Sequence, residues 1–592
     1  MIILLNAIYK LGKLYIEKEN LDELEVLLDD KKIGAVLSIN FFKESEGYLS
    51  YDKIIQEEYD ENKKIKYLYK KGSSNGADIT PSCLVVEPEK TFNKKFLRWF
   101  NQNSTKNELF ADLNKSISFS KEKILDDLIN IYKDINVGNS NVLLTLTITD
   151  NSLINYIGDY EEFKEILKEN SFEKFYKKGN KQIKGESTCF LCEEHKEVYG
   201  LVSNSIGFAF STPEKVGNVP NNLIENQWKQ LPICGNCALY LAAGKKFVEK
   251  FLNFREFGLS YFVIPNFLFD SEEGFNSLYL ILKSVHSNEE QNLKGVVDIE
   301  NKLKILVENI SDIIEFKFLF YESSNNAFNI LAYVESVIPS WLNEIYGTQL
   351  KISNCVFFSE ENIKKMFGKK VEGNFFEFIK YSSSNWSPFI IRDFVWSFSS
   401  KIYLDLIANV INGKKLDYYF ILSRIMDKLK SNWRNDENYA LNINVFKSLA
   451  LLLFLNELNL IKGVDNITFD ENQELDLILN TPSKKSSFLL GVLTRKLINI
   501  QFKELGSRPF YNKLWGLSLN HKKIIKLFPM VVDKLRQYDA WYYVKLEDEI
   551  RENLILSQDN WNLNNDETSY FFVLGFTFKD YGKDIKKGDV NE

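Results

Sequence analysis

Two Cys-x-x-Cys pairs constrain the fold of this 592-residue chain more than any other feature of its sequence. The first pair is Cys189 with Cys192 and the second is Cys234 with Cys237, and 41 residues lie between the pairs. Each pair can direct two thiolates at one ion, and two pairs complete the closed tetrahedral shell of a structural Zn²⁺ site. We therefore predict that the two segments meet at one structural zinc ion.

Other interpretations of the cysteines are two unrelated pairs or redox-active thiols. A redox Cys-x-x-Cys normally follows a thioredoxin-like βαβ pattern, which the sequence lacks. A complete Cys₄ shell has no position for a water ligand, so the ion is expected to hold structure and not to catalyse. With four thiolates as ligands, His195 is predicted to be a surface residue. Cys83 and Cys355 lie in apolar, strand-like contexts and are predicted to be buried in the core.

Composition narrows the class of protein. Hydrophobic residues make up 45% of the chain and aromatic residues 14%, which predicts several large cores and excludes a disordered chain. The formal charge is −7, so a nucleic-acid function would depend on local basic patches. The chain has six cysteines and no recognisable signal peptide, which favours the cytoplasm. It also has no run of about 20 apolar residues, so we predict no contact with a membrane.

Hydrophobic periodicity predicts an α+β multidomain protein. We expect an N-terminal α+β domain (1–185), a Cys₄ zinc-binding segment (186–270), a middle α+β region (271–390) and an all-α C-terminal bundle (391–592). No internal repeat is visible.

Within the first domain, the sequence predicts a strand over 33–42 and a helix over Thr91–Asn103. A basic strand over 63–72 and a second strand over 83–87 are expected to form a hairpin-like unit. Further along, 353–358 also has a strand-like pattern. The helix is predicted to bury Phe92, Phe96, Trp99 and Phe100.

The segment Gly72–Gly76 matches the G-x-S-x-G pattern of a nucleophile elbow. A catalytic Ser74 is rejected because the residues that follow favour a turn where an elbow needs a helix, and because the chain has only three histidines. The same loop could approach the phosphates or bases of a nucleic acid; a plain solvated loop is the alternative. The candidate contacts are Lys70, Lys71, Ser74 and Asn75.

Charge is unevenly distributed near the C-terminus. Residues 481–540 carry twelve Lys and Arg against three acidic residues, a local charge of +9, whereas residues 541–592 carry −5. Although charge runs are often solvated helix faces, this excess favours contact with nucleic acid. The residues assigned to this basic face are Lys484, Lys485, Arg495, Lys496, Lys503, Arg508 and Lys513.

Several segments together resemble the large subunit of the type I-B CRISPR-Cas surveillance complex (Cascade). They are AIYKLGKLY near the start, NGADITPS, TCFLCEEHKEVYG, PICGNCALYLAAGKKFVEKFL, SSFLLGVLTRKL, RPFYNKLWGL, LFPMVVDKLRQYD and NDETSYFFVLGFTF. They extend over nearly the whole chain, and the cysteine block is the most specific of them. Residues 270–470 contribute nothing to the resemblance.

The resemblance implies a non-enzymatic subunit that assembles with CRISPR RNA and with backbone, handle-binding and small subunits. It also implies recognition of a protospacer-adjacent motif in double-stranded target DNA, stabilisation of the unwound strands, and recruitment of a separate helicase-nuclease. In such systems the C-terminal helical part can also be made as the small subunit; here residues from about 475 to 592 resemble it, and Met426 is another possible start.

Two other functions fit parts of the sequence. A nuclease that uses carboxylate-bound Mg²⁺ would need clustered acidic residues, and none stands out in the sequence. A zinc-stabilised protein-interaction scaffold would need no affinity for RNA or DNA.

Overall fold

The computed structural model divides the chain into two compact units, residues 1–252 with 324–328, and residues 253–323 with 329–592. The residues that it describes are 2–44, 47–72, 76–202, 221, 223–256, 259–267, 276, 279, 280, 314–324, 327–368, 370–462 and 478–578.

A five-stranded sheet forms the centre of the first unit. Its strands are β1 (Ile33–Lys43), β2 (Leu49–Glu58), β3 (Cys83–Leu84), β4 (Asn141–Asp150) and β5 (Leu153–Tyr156). The order is β2-β1-β4-β3, and β5 also pairs with β4. Strands β1 and β4 are parallel and the other pairs are antiparallel. Both β1 and β4 contain seven consecutive buried residues, as expected of strands covered on both faces.

The described part of the first unit also contains helices. They are α1 (Ile2–Glu19), α2 (Glu23–Leu27), α3 (Lys64–Tyr67), α4 (Pro88–Thr91), α5 (Leu97–Asn103), α6 (Glu108–Phe119), α7 (Lys121–Lys133), α8 (Glu161–Tyr176) and α9 (Gly235–Phe251). A π-helical turn, Phe92–Phe96, joins α4 to α5. The four aromatic residues predicted to be buried in this segment are at most 1% exposed. Trp99 stacks on Phe163 with ring centroids 5.7 Å apart, and its indole N–H donates to the Ile79 carbonyl at 2.9 Å.

The predicted hairpin of 63–72 with 83–87 is wrong. Residues 64–67 form α3, Leu68 is left-handed with φ 46°, and the two-residue strand β3 pairs with β4. The Ser82 hydroxyl donates to the Tyr67 carbonyl at 2.6 Å, and the Thr80 hydroxyl donates to the Leu68 carbonyl. These side chains satisfy carbonyls that a sheet would otherwise pair.

The strand predicted over 353–358 is also wrong, since these residues end a helix and form a 3₁₀ turn. A short apolar run fits a buried helical turn as well as it fits a strand. By contrast, the strand predicted over 33–42 is confirmed by β1.

A small antiparallel sheet follows α8 in the first unit. It contains β8 (Lys184–Thr188), β9 (His195–Tyr199) and β10 (Ile233–Cys234) in the order β10-β9-β8, and it leads directly into α9. The two-stranded ribbon of β6 (Lys177–Lys178) and β7 (Lys181–Gln182) precedes it.

The second unit begins with a four-stranded sheet of order β11-β12-β13-β14. The strands are β11 (Asn253–Glu256), β12 (Leu259–Phe267), β13 (Ile314–Ser324) and β14 (Ala327–Val337). A short parallel pair, β15 (Leu416–Asp417) and β16 (Ile461–Lys462), lies among the helices that follow.

The rest of the second unit is helical, which confirms the predicted fold class. Its helices are α10 (Pro339–Ser353), α11 (Glu360–Phe367), α12 (Phe375–Phe378), α13 (Ser387–Val395), α14 (Ser400–Ile411), α15 (Tyr418–Arg434), α16 (Asn438–Glu457), α17 (Pro482–Leu505), α18 (His521–Gln537), α19 (Val544–Leu556) and α20 (Asn565–Thr577). By length and composition alone, α16 could cross a membrane. It packs against α10, α13 and α15, and most of its apolar window is buried within the protein.

Close helix crossings at paired glycines occur in both units. In the second unit, a methyl group on Gly491 of α17 would overlap the Phe572 carbonyl, and one on Gly575 of α20 would overlap the Phe488 carbonyl. In the first unit, Gly12 of α1 and Gly244 of α9 have the same reciprocal relation. The helix backbones touch at these points, so there is no room for a side chain.

We predict that Gly491→Ala destabilises the second unit by about 3 kcal/mol, because the methyl group must displace main-chain atoms of α20. Gly347→Ala is the matched control: this helical glycine is exposed, and no atom lies within 4 Å of the added methyl group. The control should be neutral or stabilising by up to about 1 kcal/mol. Denaturant unfolding measures both changes. Equal stabilities for the two variants would contradict the close crossing.

Candidate functional site

Four cysteines converge in the first unit. Cys189 and Cys192 lie in the turn between β8 and β9, Cys234 ends β10, and Cys237 lies in the first turn of α9. All four Sγ atoms are within 4.8 Å of one another, and those of Cys192 and Cys234 are 3.9 Å apart. Tetrahedral coordination with bonds of about 2.3 Å requires sulfur atoms about 3.8 Å apart. The four thiols could therefore hold one metal ion, and the interpretation as two unrelated pairs is wrong.

Backbone hydrogen bonds hold the two cysteine segments in place. The Cys189 N–H donates to the Glu194 carbonyl at 2.8 Å, and the Glu193 N–H donates back to the Cys189 carbonyl at 2.9 Å. Glu193 closes the tight turn in a left-handed conformation with φ 60°. The two cysteine segments are joined by Phe190 N–H, which donates to the Pro232 carbonyl at 2.8 Å.

The electrostatics of the cluster favour the thiolate at Cys189 and the thiol at Cys234 and Cys237. Hydrogen bonds from the thiols of Cys234 and Cys237 hold the pKa of Cys189 well below its usual value, and the Cys234 N–H also points at the Cys189 Sγ, 3.4 Å away. The same sharing of protons raises the pKa of Cys237. Cys237 also lies in the first turn of α9, where the helix dipole stabilises negative charge.

The helix that begins at the cluster is central to the first unit. It crosses α1 at Gly12 and Gly244. Two residues further on, the Lys246 ammonium donates to the carbonyls of Glu25, at 3.0 Å, and of Leu28. An ion held by the cysteines would thus fix the start of a helix that connects α1 to the end of α2.

The remaining candidates for metal chemistry lie elsewhere. His195 is exposed at the start of β9, as predicted, and Cys83 and Cys355 are each 1% exposed, as predicted for core residues. Within the described part of the chain, the four cysteines are the one group of three or more His, Cys, Asp or Glu side chains close enough to share an ion.

A lysine-rich cavity of about 380 Å³ also lies in the first unit. It is lined by six lysines and three acids: Lys31, Lys70, Lys71, Lys174, Lys245, Lys246, Asp29, Asp30 and Glu249. Lys70 pairs with Asp29 at 2.7 Å, and the Lys174 ammonium donates to the Lys71 carbonyl at 3.2 Å. The cavity therefore includes two of the four residues predicted around the 72–76 loop. The other two, Ser74 and Asn75, lie outside the described residues.

Burial perturbs the charges in this cavity. It lowers the pKa of Lys246 to about 8 although Asp30 opposes the shift, and together with the charge of Lys70 it also lowers the pKa of Lys174. The carboxylate of Asp29 is buried too, but Lys70 and Lys246 lower its pKa on balance. An anion entering the cavity would stabilise the charged form of these lysines.

The predicted basic residues of the second unit do not form one continuous exposed face. Lys484 is 9% exposed and its ammonium lies 2.9 Å from the Asn480 amide oxygen. Lys485 pairs with Glu549 at 3.3 Å and Arg508 pairs with Asp436 at 3.0 Å. Lys496 is half-buried with its ammonium 5.4 Å from the centre of the Tyr543 ring, the Arg495 guanidinium is packed on Phe576, and Lys503 and Lys513 are exposed.

Sequence reasoning missed several residues of these sites. Lys246 comes from α9, and Arg434 from α15 lines a cavity together with Arg508. No local pattern distinguishes these residues from ordinary helix-surface cations, since only the tertiary fold brings them together. The sequence signal for such a residue is a charged side chain on the apolar face of a helix. At a single position this signal is weak.

Comparison with protein-family models gives three matches in chain order. Models of the N-terminal, central and C-terminal domains of CRISPR-associated protein TM1802 match residues 4–169, 186–337 and 396–589. Together they cover most of the chain, and the central match includes all four clustered cysteines. No curated protein matches the sequence.

We predict one bound metal ion per chain, to be measured by elemental mass spectrometry of the purified protein. Cys192→Ser should abolish stoichiometric metal and destabilise the first unit, on the order of several kcal/mol, because the free energy of binding contributes to folding. His195→Ala is the control, since this side chain is exposed beside the cluster. A wild-type protein without metal, or equal metal content in Cys192→Ser and the control, would contradict the site.

Proposed function

Because this chain belongs to the CRISPR-associated TM1802 family, we propose that it is the non-catalytic large subunit of a type I-B CRISPR RNA-guided DNA surveillance complex. Family membership over all three domains carries this proposal. Its partners are CRISPR RNA, target double-stranded DNA, backbone and handle-binding subunits, small subunits and a separate helicase-nuclease. The chain acts in the cytoplasm, where the guide and the invading DNA meet.

The division of labour in such a complex is physically reasonable. Base pairing with the guide supplies most of the sequence discrimination, and protein contacts read a short flanking motif and hold the backbone of the unwound strands. A subunit with net charge −7 can do this only through local basic sites, and both units contain such sites.

In the first unit, we assign recognition of the protospacer-adjacent motif to the lysine-rich cavity and the 72–76 loop. The loop of residues 72–80, with Ser74 and Asn75, approaches the motif duplex together with Lys70 and Lys71. The six lysines around the cavity against three acids support anion binding there.

In the second unit, we assign stabilisation of unwound DNA to residues 481–540. Exposed Lys503 and Lys513, together with Arg508, are the best placed for direct contact. Lys484 and Lys485 act mainly through the potential of the whole segment, because one is buried and the other is paired with an acid. A small subunit made from this region begins near 475. A start at Met426 is disfavoured, because Met426 is buried in the middle of α15.

We propose that the ion held by the cysteines is Zn²⁺ and that it is structural. Thiolate ligands in a tetrahedral set suit zinc, and a four-thiolate shell has no position at which water could be activated. The described residues contain no cluster of three carboxylates that could hold Mg²⁺, so no observation favours the nuclease alternative.

The direct test is purification of the tagged protein from its native host, with sequencing of co-eluting RNA and mass spectrometry of co-eluting proteins. We expect short RNAs that share one 5′ handle, together with backbone subunits and a C-terminal fragment of this chain. Protein that carries zinc but neither RNA nor other subunits would contradict the proposed function and favour the scaffold alternative.

Neutralising the two basic sites should have different consequences in a reconstituted complex. Lys70→Gln with Lys71→Gln should reduce the preference for motif-bearing over motif-free target about tenfold, since groups that read the motif are lost. Lys503→Gln with Lys513→Gln should weaken binding to both targets alike and lower the salt slope by about one per lost phosphate contact.

Lys106→Gln is the matched control for both pairs, because Lys106 is an exposed lysine far along the chain from either site. Binding is measured by mobility shift at several salt concentrations, with thermal unfolding to confirm that each variant is folded. Variants that match the control in affinity, discrimination and salt slope would refute both assignments.

A further inference from the structure

Helix α1 lies along α9, the helix that begins at the cysteine cluster. The rings of Tyr9 and Tyr240 have centroids 5.7 Å apart. Further along both helices, the rings of Tyr15 and Phe247 have centroids 5.4 Å apart. Between these pairs lies the close glycine crossing of the two helices. Because the contacts advance together along both helices, α1 and α9 are parallel, and the first turns of α1 lie beside the cluster.

Tyr9 is the residue of α1 that reaches the cysteines. Tyr240, whose ring it contacts, follows Cys237 by three residues, so both lie on one face of α9. Side chains of a helix point back toward its N-terminus, and this direction leads the half-buried Tyr9 side chain from the level of Tyr240 to that of Cys237. A hydrogen bond accordingly joins the Tyr9 hydroxyl to the Cys237 side chain.

The hydroxyl of Tyr9 is the donor in this bond when a metal ion is present. A tyrosine hydroxyl carries a proton at neutral pH, whereas a cysteine that binds a metal ion does so as thiolate and has no proton to give. A hydrogen bond to a charged acceptor is also stronger than one to a neutral acceptor. The bond between Tyr9 and Cys237 is therefore compatible with a bound ion and is stronger in its presence.

Four thiolates around a divalent ion need donors outside the coordination shell. Their negative charge exceeds that of the ion, and burial of the excess is costly unless hydrogen bonds satisfy the sulfur atoms. The Cys234 N–H supplies one such donor, 3.4 Å from the Sγ of Cys189. The Tyr9 hydroxyl supplies another at Cys237, and it comes from a helix outside both cysteine segments.

We infer that Tyr9 is a positioning residue of the metal site, whose hydroxyl donates to the Sγ of Cys237 while that sulfur binds the ion. The inference rests on the metal site of the proposed function and extends it, since it adds a residue of α1 to a site that the cysteine motifs alone define. The ion and α1 then stabilise each other. The ion holds the sulfur that accepts from Tyr9, and Tyr9 slows the loss of the ion.

The test uses full-length protein loaded with Zn²⁺, from which an excess of a chromogenic chelator removes the ion. Tyr9→Phe should release Zn²⁺ about tenfold faster than the wild type, because loss of an outer hydrogen bond weakens metal binding by about 10- to 100-fold. Tyr240→Phe is the matched control, since it removes the hydroxyl of the ring packed against Tyr9 and keeps the bond to Cys237. The control should release Zn²⁺ at the wild-type rate.

Protein loaded with Co²⁺ separates a positioning role from a loss of packing. The sulfur-to-metal charge-transfer absorption depends on the electron density at the thiolates, which an outer hydrogen bond lowers. In Tyr9→Phe this band should therefore move to longer wavelength, whereas Tyr240→Phe should keep the wild-type band. A tyrosine that only packs would leave the band in place in both variants. Thermal unfolding of each metal-free protein confirms that the variants are folded.

Two results would overturn the inference alone: a Tyr9→Phe variant that releases Zn²⁺ as slowly as the control, or a Co²⁺ band at the same wavelength in Tyr9→Phe and the wild type. Wild-type protein that binds no ion would overturn the inference together with the metal site. These results are distinguishable from failure of the proposed function, which appears as protein purified from its host without guide RNA, whatever its metal content.

Discussion

The convergence of four thiols at the start of α9 is the constraint from which the first unit is built. The two segments that supply the thiols form little regular structure of their own, a short sheet and a turn. Once they are joined, α9 leaves the cluster in a fixed direction and crosses α1 at Gly12 and Gly244, where the backbones are in contact. Lys246 then caps carbonyls at the end of α2. A metal ion at the cluster would therefore stabilise a helix assembly far larger than the loop that it closes.

The second unit has a similar crossing of α17 with α20. Two arginines of its helices, Arg536 and Arg495, lie in different surroundings. Arg536 makes a bidentate pair with Glu547, a carboxylate that is 1% exposed, so both charges are satisfied internally. Within the described part of the chain, the Nε of Arg495 on the neighbouring α17 is buried without a hydrogen-bond partner. The same bundle thus contains one arginine that is paired with a buried acid and one whose guanidinium packs on the Phe576 ring. The charge count of the segment does not distinguish these two environments.

The features predicted correctly from sequence are those with a local signal. The cysteine spacing indicated the cluster, and helical periodicity indicated the buried aromatic residues around Trp99. The hairpin prediction failed because Thr80 and Ser82 bond carbonyls twelve and fifteen residues away, and no local pattern encodes such contacts. The cavities could not be predicted either, because each one combines side chains from separate helices. Net charge indicated which segment is basic, but not that Lys484 is buried.

The central claim is that this chain binds nucleic acid for a guide-directed complex and performs no chemistry on it. The most direct measurement is a combined binding and cleavage assay with guide-loaded complex, prepared with and without this chain, on a matched duplex in the presence of Mg²⁺. Our account predicts that binding depends on this chain and that the duplex remains uncut until the helicase-nuclease is added. Cleavage by the complex without that nuclease, or equal binding in the absence of this chain, would contradict the account.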